Sequence, residues 1–202
     1  MDETRITNKT QLRGVLCEPP QFSHESRGER FLQFSMEIFR LSGAPDKINV
    51  IVREQLLGEV DINGTAEKLT VSGELRSFNN KSGEGSKLVI SVFAREVGFE
   101  SGEDVNNVLL SGVICKKPNL RTTPMGREIC DLMLAVNRRY GRSDYLPCIA
   151  WGIRARDVAA WSVGTLVSLE GRLQSRDYIQ NVNGLPIEKT AFEVSITEIK
   201  AL

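Results

Sequence analysis

Between Met125 and Tyr145 the chain reads MGREICDLMLAVNRRYGRSDY, and its second half sets Arg138, Arg139 and Arg142 among Tyr140 and Tyr145. Guanidinium groups interleaved with exposed rings suit a flexible polyanion with flat bases, since cations meet phosphates and rings stack on unpaired bases. The first half alternates like a strand: Cys130, Leu132, Leu134 and Val136 share one face, and Asp131 and Asn137 fall on the other. The strand that opens at Tyr145 sends Tyr145, Ile149 and Trp151 one way and Leu146, Cys148 and Ala150 the other. The small apolar set suits an interior, which leaves two large rings outward, an unusual place for them unless something covers them. In the next strand Val167, Leu169 and Leu173 take the interior, while Arg172, Arg176 and Tyr178 face out. The expected surface therefore combines Tyr140, Tyr145, Trp151 and Tyr178 with Arg127, Arg138, Arg139, Arg172 and Arg176.

Other chemistries find little support. His24 is the only histidine and sits in a polar stretch, QFSHESRGER, that reads as a loop. No nucleophile–base arrangement, phosphate-cradling glycine loop or cluster of acidic ligands is visible, so neither an enzyme, a cofactor nor a metal site is expected. Cys17, Cys115, Cys130 and Cys148 form no CxxC pair and read as small buried strand residues in a reducing compartment. No apolar run approaches a membrane span, and the start, MDETRITNKT, lacks the order of a signal peptide, so a cytoplasmic protein is expected. The zero net charge hides an asymmetry: residues 1–104 hold 13 Lys+Arg against 17 Asp+Glu, and residues 105–202 hold 13 against 9. The second half is the one suited to an acidic partner.

The elements that position these residues are written twice. With residue i placed over residue i+98, LRGVLCEPP (Leu12 to Pro20) lies over LSGVICKKP (Leu110 to Pro118), and Leu32, Phe34, Met36 and Ile38 fall on Cys130, Leu132, Leu134 and Val136. Asp46 matches Asp144, and VSGELRS (Val71 to Ser77) matches LEGRLQS (Leu169 to Ser175). The last strands need a shift of 102, with Ile90 and Val92 over Phe192 and Val194, the extra residues falling in a hairpin around Asn183-Gly184. Each copy reads as five strands. In the second they lie near 108–117, 128–138, 145–152, 165–176 and 191–199, with one short helix in RARDVAAW (Arg154 to Trp161), whose Trp161 reads as core. The equivalent segment of the first copy, Glu54 to Glu67, contains Gly58, Asn63 and Gly64, which argues against a helix there. Pro147 inside the third strand calls for an edge or a bulge. Three strands, a helix and a hairpin is the order of a five-stranded OB-type barrel. The fold expected is all-β with one short helix: two tandem five-stranded OB-fold barrels, at 1–99 and 108–202. A linker at 100–107, reaching at most about 28 Å, would keep them close as a pseudo-symmetric pair.

The order GREICDLMLAVNRRYG, IAWGIRARDVAAW, GTLVSLEGRLQSRDY and EKTAFEVSITEI resembles the bacterial single-stranded DNA-binding protein family over nearly all of the second copy. The resemblance implies OB barrels that wrap single-stranded DNA and stack bases on rings, here at Tyr140, Tyr145, Trp151 and Tyr178. It also implies roles in DNA replication, repair and recombination at the nucleoid. Tetramers of single barrels are usual in the family, so a two-barrel chain is expected to form a homodimer with four barrels. Family members commonly end in a disordered segment with an acidic tip that recruits replication proteins; this sequence stops at EIKAL, so recruitment by that route is not expected. The first copy departs from the pattern, with Ser42, Lys47, Arg53 and Asn80 at the four ring positions. It reads as a degenerate barrel kept for assembly, or a weak binder using Lys47 and Arg53; Phe39 and Phe78 lie nearby as partial substitutes. Two rivals stand beside this reading: a protein-interaction factor in replication restart or conjugation, and an RNA binder.

Overall fold

A computed structural model describes residues 7–58, 68–80, 88–138, 141–182 and 185–202. The first copy contributes β1 (Asn8–Leu16), β2 (Gln21–Ser26), β3 (Glu29–Phe39), β4 (Pro45–Arg53), α1 (Glu54–Gly58), β5 (Lys68–Asn79) and β6 (Leu88–Glu100). The second contributes β7 (Val105–Ile114), β8 (Asn119–Thr122), β9 (Glu128–Asn137), β10 (Ser143–Trp151), α2 (Ile153–Ala159), β11 (Leu166–Val182) and β12 (Leu185–Ala201).

The pairings close a five-stranded sheet in each copy. In the first, β1 pairs with β5, β5 with β6, β6 in parallel with β4, β4 with β3, and β3 returns to β1 at Leu16↔Met36. In the second, β7 neighbours β11, β11 neighbours β12, β12 runs parallel to β10, β10 pairs with β9, and β9 returns to β7 at Ile114↔Leu134. The two parallel contacts, Val50↔Val92 and Cys148↔Val194, sit at equivalent residues under shifts of 98 and 102. Both shifts read from the sequence therefore describe real superposable strands. Closure in this order is that of an OB barrel.

Period-two alternation fills each interior. Met36, Ile48 and Leu75 are fully buried in the first copy, and Leu134, Leu146 and Leu173 occupy the matching places in the second. Glycine is required where strands cross closely. A side chain on Gly14 would strike the Glu37 carbonyl, and one on Gly112 would lie 2.5 Å from the Ala135 oxygen. Gly73 and Gly171 face the Phe93 and Ser195 carbonyls in the same way.

Several expectations change. Two short helices form instead of one: α1 closes over the first barrel with Leu57 buried, because a single apolar anchor suffices for a turn of helix. The stretch around His24 is the β2–β3 hairpin, turning at Arg27 and Gly28, both with positive φ, and the His24 ring stacks on Phe31 at 4.7 Å. β8 is a matching short strand in the second copy. Trp161 lies just beyond α2, half-buried, whereas Ala155 and Val158 are the buried helix residues. Pro147 sits in an unbroken register with β9, opposite Met133, one residue ahead of the first pair with β12; no bulge accommodates it. Only Cys130 and Cys148 are buried. Cys17 and Cys115 lie where β1 and β7 end and the chain leaves the sheet, so Cys17 is exposed and Cys115 half-buried. Of the segment 100–107 only 101–104 lies between strands, since β6 runs to Glu100 and β7 starts at Val105. The residues of the Asn183-Gly184 turn fall outside the described residues.

The described chain divides into two compact units that interleave along the sequence. One holds Lys9–Asn107 together with Gln174–Ala191; the other holds residues 7–8, Val108–Leu173 and Phe192–Leu202. The long arm of β11 and β12 thus belongs with the first copy. It is tied there by three bonds to Ser175: its N–H donates to Asp46 Oδ1 (3.0 Å), its hydroxyl accepts from the Lys47 N–H (2.9 Å), and its carbonyl accepts from Arg40 (3.5 Å).

Gly112→Ala must push apart strands that are fixed on both sides. It is expected to cost about 1–3 kcal/mol, the range for an overpacked interior, measured as a lower urea midpoint.

Candidate nucleic-acid interface

β10 presents its rings as the alternation requires. Asp144, Leu146, Cys148 and Ala150 are buried, Tyr145 is 51% exposed, and Trp151 is half-buried. Ile149 shares their parity yet is 3% exposed, so the two rings flank a covered aliphatic position. The Trp151 indole N–H donates to Ser195 Oγ on β12 at 3.1 Å, which fixes the ring's edge to the neighbouring strand. Arg172 is half-buried on β11, and Arg127 is exposed in the β8–β9 turn. These four residues belong to one compact unit.

Arg176 and Tyr178 do not. Both lie on the arm that belongs to the first copy's unit, with the Arg176 guanidinium carbon 5.8 Å from the centre of the half-buried Tyr178 ring. Arg139 and Tyr140 lie outside the described residues. The surface expected from the sequence is thus distributed, with Tyr145, Trp151, Arg127 and Arg172 in one unit and Arg176 and Tyr178 in the other.

Arg138 is also tied to the interior. Its guanidinium grips the fully buried Asp144 with two hydrogen bonds, Nε to Oδ2 at 2.6 Å and Nη2 to Oδ1. A carboxylate removed from water needs such a partner, because an isolated buried charge is far costlier than a paired one. The first copy repeats the arrangement ninety-eight residues earlier: Arg40 grips the buried Asp46, with Nε to Oδ2 at 2.8 Å. The hydrogen bond to Asp46 raises the Arg40 pKa, outweighing desolvation. The signal was present in the sequence as an arginine six residues before an aspartate in both copies, but arginines near rings read as phosphate contacts. Other arginines of the second copy are paired as well: Arg121 with Asp131 (2.5 Å), Arg156 with Glu128 (2.5 Å) and Arg154 with Glu198.

The first copy has exchanged positions. Where the second has Trp151 and Ser195, the first has Arg53 and Phe93, aligned by the parallel pairing. Arg53 meets Glu29 at 3.0 Å. Phe93 is half-buried, with the guanidinium carbons of Arg95 and Arg76 at 4.9 and 6.0 Å from its centre. The sequence conceals this ring, because the shift of 98 pairs it with Ala191 and only the shift of 102 brings it to the β12 position facing Trp151. Phe39 and Phe78 are both exposed.

Among the described residues no three His, Cys, Asp or Glu side chains converge as metal ligands, and no helix is long and apolar enough to cross a membrane.

A closed five-stranded barrel with this strand order defines a protein of the OB-fold class. Residues 105–202 match the single-strand binding protein family. The chain is similar to single-stranded DNA-binding protein 3 of Streptococcus agalactiae, 34% identical over 93 residues, 43% of this chain and 67% of that one. It is also similar to single-stranded DNA-binding protein A of Bacillus subtilis, 35% identical over 104 residues, 48% of this chain and 56% of that one. The chain belongs to the single-strand binding protein family, and it spans about half to two-thirds of the length of the curated relatives it matches. In fold it resembles wild-type single-stranded DNA binding protein from Thermus aquaticus, with a TM-score of 0.78 at 22% identity over 98% of this chain and 94% of that one.

Removing either aspartate strands an arginine in a partly covered site. Asp144→Ala and Asp46→Ala are each expected to lower unfolding stability by on the order of 3 kcal/mol, whereas Arg127→Ala, on an exposed turn, should stay within about 0.5 kcal/mol. Denaturant midpoints of the three variants check this.

Proposed function

We propose that this protein binds single-stranded DNA with little sequence preference, its second barrel stacking bases on Tyr145 and Trp151. The observation that carries the reading is the β10 strand, where two large rings stand out from a face whose alternate residues are sealed. Tyr178 and Tyr140 extend the set of rings, and Arg127, Arg139, Arg172 and Arg176 contact phosphates. Arg138 joins them at the phosphates while it also holds Asp144. The protein acts by binding, without a chemical step, and serves DNA replication, repair and recombination in the cytoplasm at the nucleoid. Two tandem OB barrels per chain, at 1–99 and 108–202, pair as a homodimer to give four barrels, of which the second of each chain is the better equipped with rings.

Stacking is worth roughly 1–3 kcal/mol per base. Phosphate contacts add a salt dependence, with a log–log slope of about −0.7 per contact on single strands. Oligothymidine titrated into the protein should quench Trp151 fluorescence saturably. Trp151→Ala or Tyr178→Ala should weaken binding about 5- to 100-fold, the range set by the stacking energy. Arg53→Ala should change it by less than about threefold, since an exposed ion pair is worth little. Absence of saturable binding at low salt would overturn the reading, and equal losses from the three variants would overturn the division between barrels.

A further inference from the structure

The outward face of the first barrel holds a cavity of about 290 Å³, bounded by Gln33 and Ser35 of β3, Asn49 and Ile51 of β4, Phe78 of β5 and Ser91 of β6. All belong to one compact unit. Its chemistry is neutral and hydrogen-bonding, and Glu18 at the rim is the one charged residue of the lining. With no cation lining it the cavity does not suit a phosphate, and a single carboxylate does not make a cation site. Amides and hydroxyls would be wasted on a hydrocarbon. A flat heterocycle with donors and acceptors on its edge and an apolar face suits both the amides and the Phe78 wall.

Two details point to an occupant. Ser35 Oγ donates to Asn49 Oδ1 at 3.0 Å, which orients the Asn49 amide and leaves its NH2 to donate elsewhere. Ser91 is 2% exposed, and its Oγ has no hydrogen-bond partner among the described residues. A buried hydroxyl without a partner is costly. The only other such hydroxyl among the described residues is on Thr10, which does not line the cavity.

The second copy lacks this chemistry. At the positions of Gln33, Ser35, Asn49 and Ser91 it has Asp131, Met133, Pro147 and Glu193. Asp131 is moreover taken by Arg121. This set of lining residues is therefore particular to the first copy. Further along the same face of β6 stand Phe93 and Arg95, a ring and a guanidinium that also meets Glu74 at 3.2 Å, on which the strand can continue.

We propose that this cavity receives one unpaired base of the bound strand, lying against Phe78 with its edge hydrogen-bonded by Gln33, Asn49 and Ser91. The first barrel thereby gives a mild base preference that the stacking face does not. The inference rests on the reading of the chain as a single-strand binder. The cavity is a base-reading site, and the first barrel is not merely a scaffold.

The test uses the full chain, with affinities for oligothymidine, oligocytidine, oligoadenosine and an oligothymidine carrying abasic positions. Wild type should prefer one base over the others and lose affinity for the abasic strand. Ser91→Ala and Asn49→Ala should weaken the preferred strand about three- to tenfold, as expected for one hydrogen bond, and leave the others within about twofold. Ser91→Val, which fills the floor, should do the same. Ser91→Ala should also melt at the same or a higher temperature than wild type, because it deletes an unpaired buried hydroxyl; this separates a lost contact from a misfolded chain. If strands bind saturably and the base profile is unchanged in all three variants, the cavity assignment fails while the stacking barrel stands. If no strand binds wild type, the function itself fails.

Discussion

Barrel closure is the constraint from which the site follows. A five-stranded sheet that returns on itself has a small interior, and β10 can offer it only one parity of side chains. Leu146, Cys148 and Ala150 fill that space, so Tyr145 and Trp151 are left outside by geometry. A slip of one residue would exchange the two sets and drive both rings inward. Two features hold the register against such a slip: the continuous β9–β10 pairing from Ser143 to Trp151, and the close crossings at Gly112 and Gly171, where any side chain would collide with a carbonyl. The Trp151–Ser195 hydrogen bond then links an outward ring to the parallel strand that closes the barrel.

A second constraint is electrostatic. Among the described residues Asp46 and Asp144 are the charges most completely removed from water, and each holds the arginine six residues before it. The Asp46 carboxylate also accepts the Ser175 N–H, and through that bond the arm bearing Arg176 and Tyr178 is joined to the first copy's unit. A buried pair of this kind contributes less to net stability than its proximity implies, since desolvation offsets most of the attraction. Its clearest effect is to fix which strand meets which. The Ser175 N–H is one of the donors that meet the buried Asp46 carboxylate.

Local patterning made much of this legible. Alternation in Cys130–Val136 and Leu146–Ala150 identified the inner faces, and the two shifts, 98 and 102, proved to be structural equivalences. Tyr145 and Trp151 were readable because parity is a local property. Tyr178 was readable as an outward ring, but not as a member of the other unit, because its location depends on hydrogen bonds 128 and 129 residues apart in sequence. The pairing of Arg138 with Asp144 was not legible, because a charge count does not record whether a carboxylate lies within reach. Gln33, Asn49 and Ser91 drew no attention, since outward polar residues on a strand look like solvated surface until a cavity is seen above them. Helix α1 was obscured by Gly58, and the hairpin at His24 by a polar run with little apolar alternation.

The two copies differ where function is expected to differ and agree where stability demands it. Interior places are filled alike: Met36 and Leu134, Ile48 and Leu146, Leu75 and Leu173. Any polar or undersized replacement there leaves a void or an unpaired group, so the barrel itself limits change. Outward places carry no such penalty, and there the copies part: Lys47 against Tyr145, Arg53 against Trp151, Phe93 against Ser195, Asn49 against Pro147. These exchanges are not random loss of rings. The first copy has an amide-lined cavity, a hydroxyl beneath it with no partner among the described residues, and a ring set between guanidinium groups. A barrel kept only for assembly would have no use for a costly unpaired hydroxyl facing a cavity, and replacement by alanine would remove it at no steric cost. Its presence argues that the first barrel has exchanged one mode of recognition for another, with hydrogen bonds at an edge in place of stacking on a face.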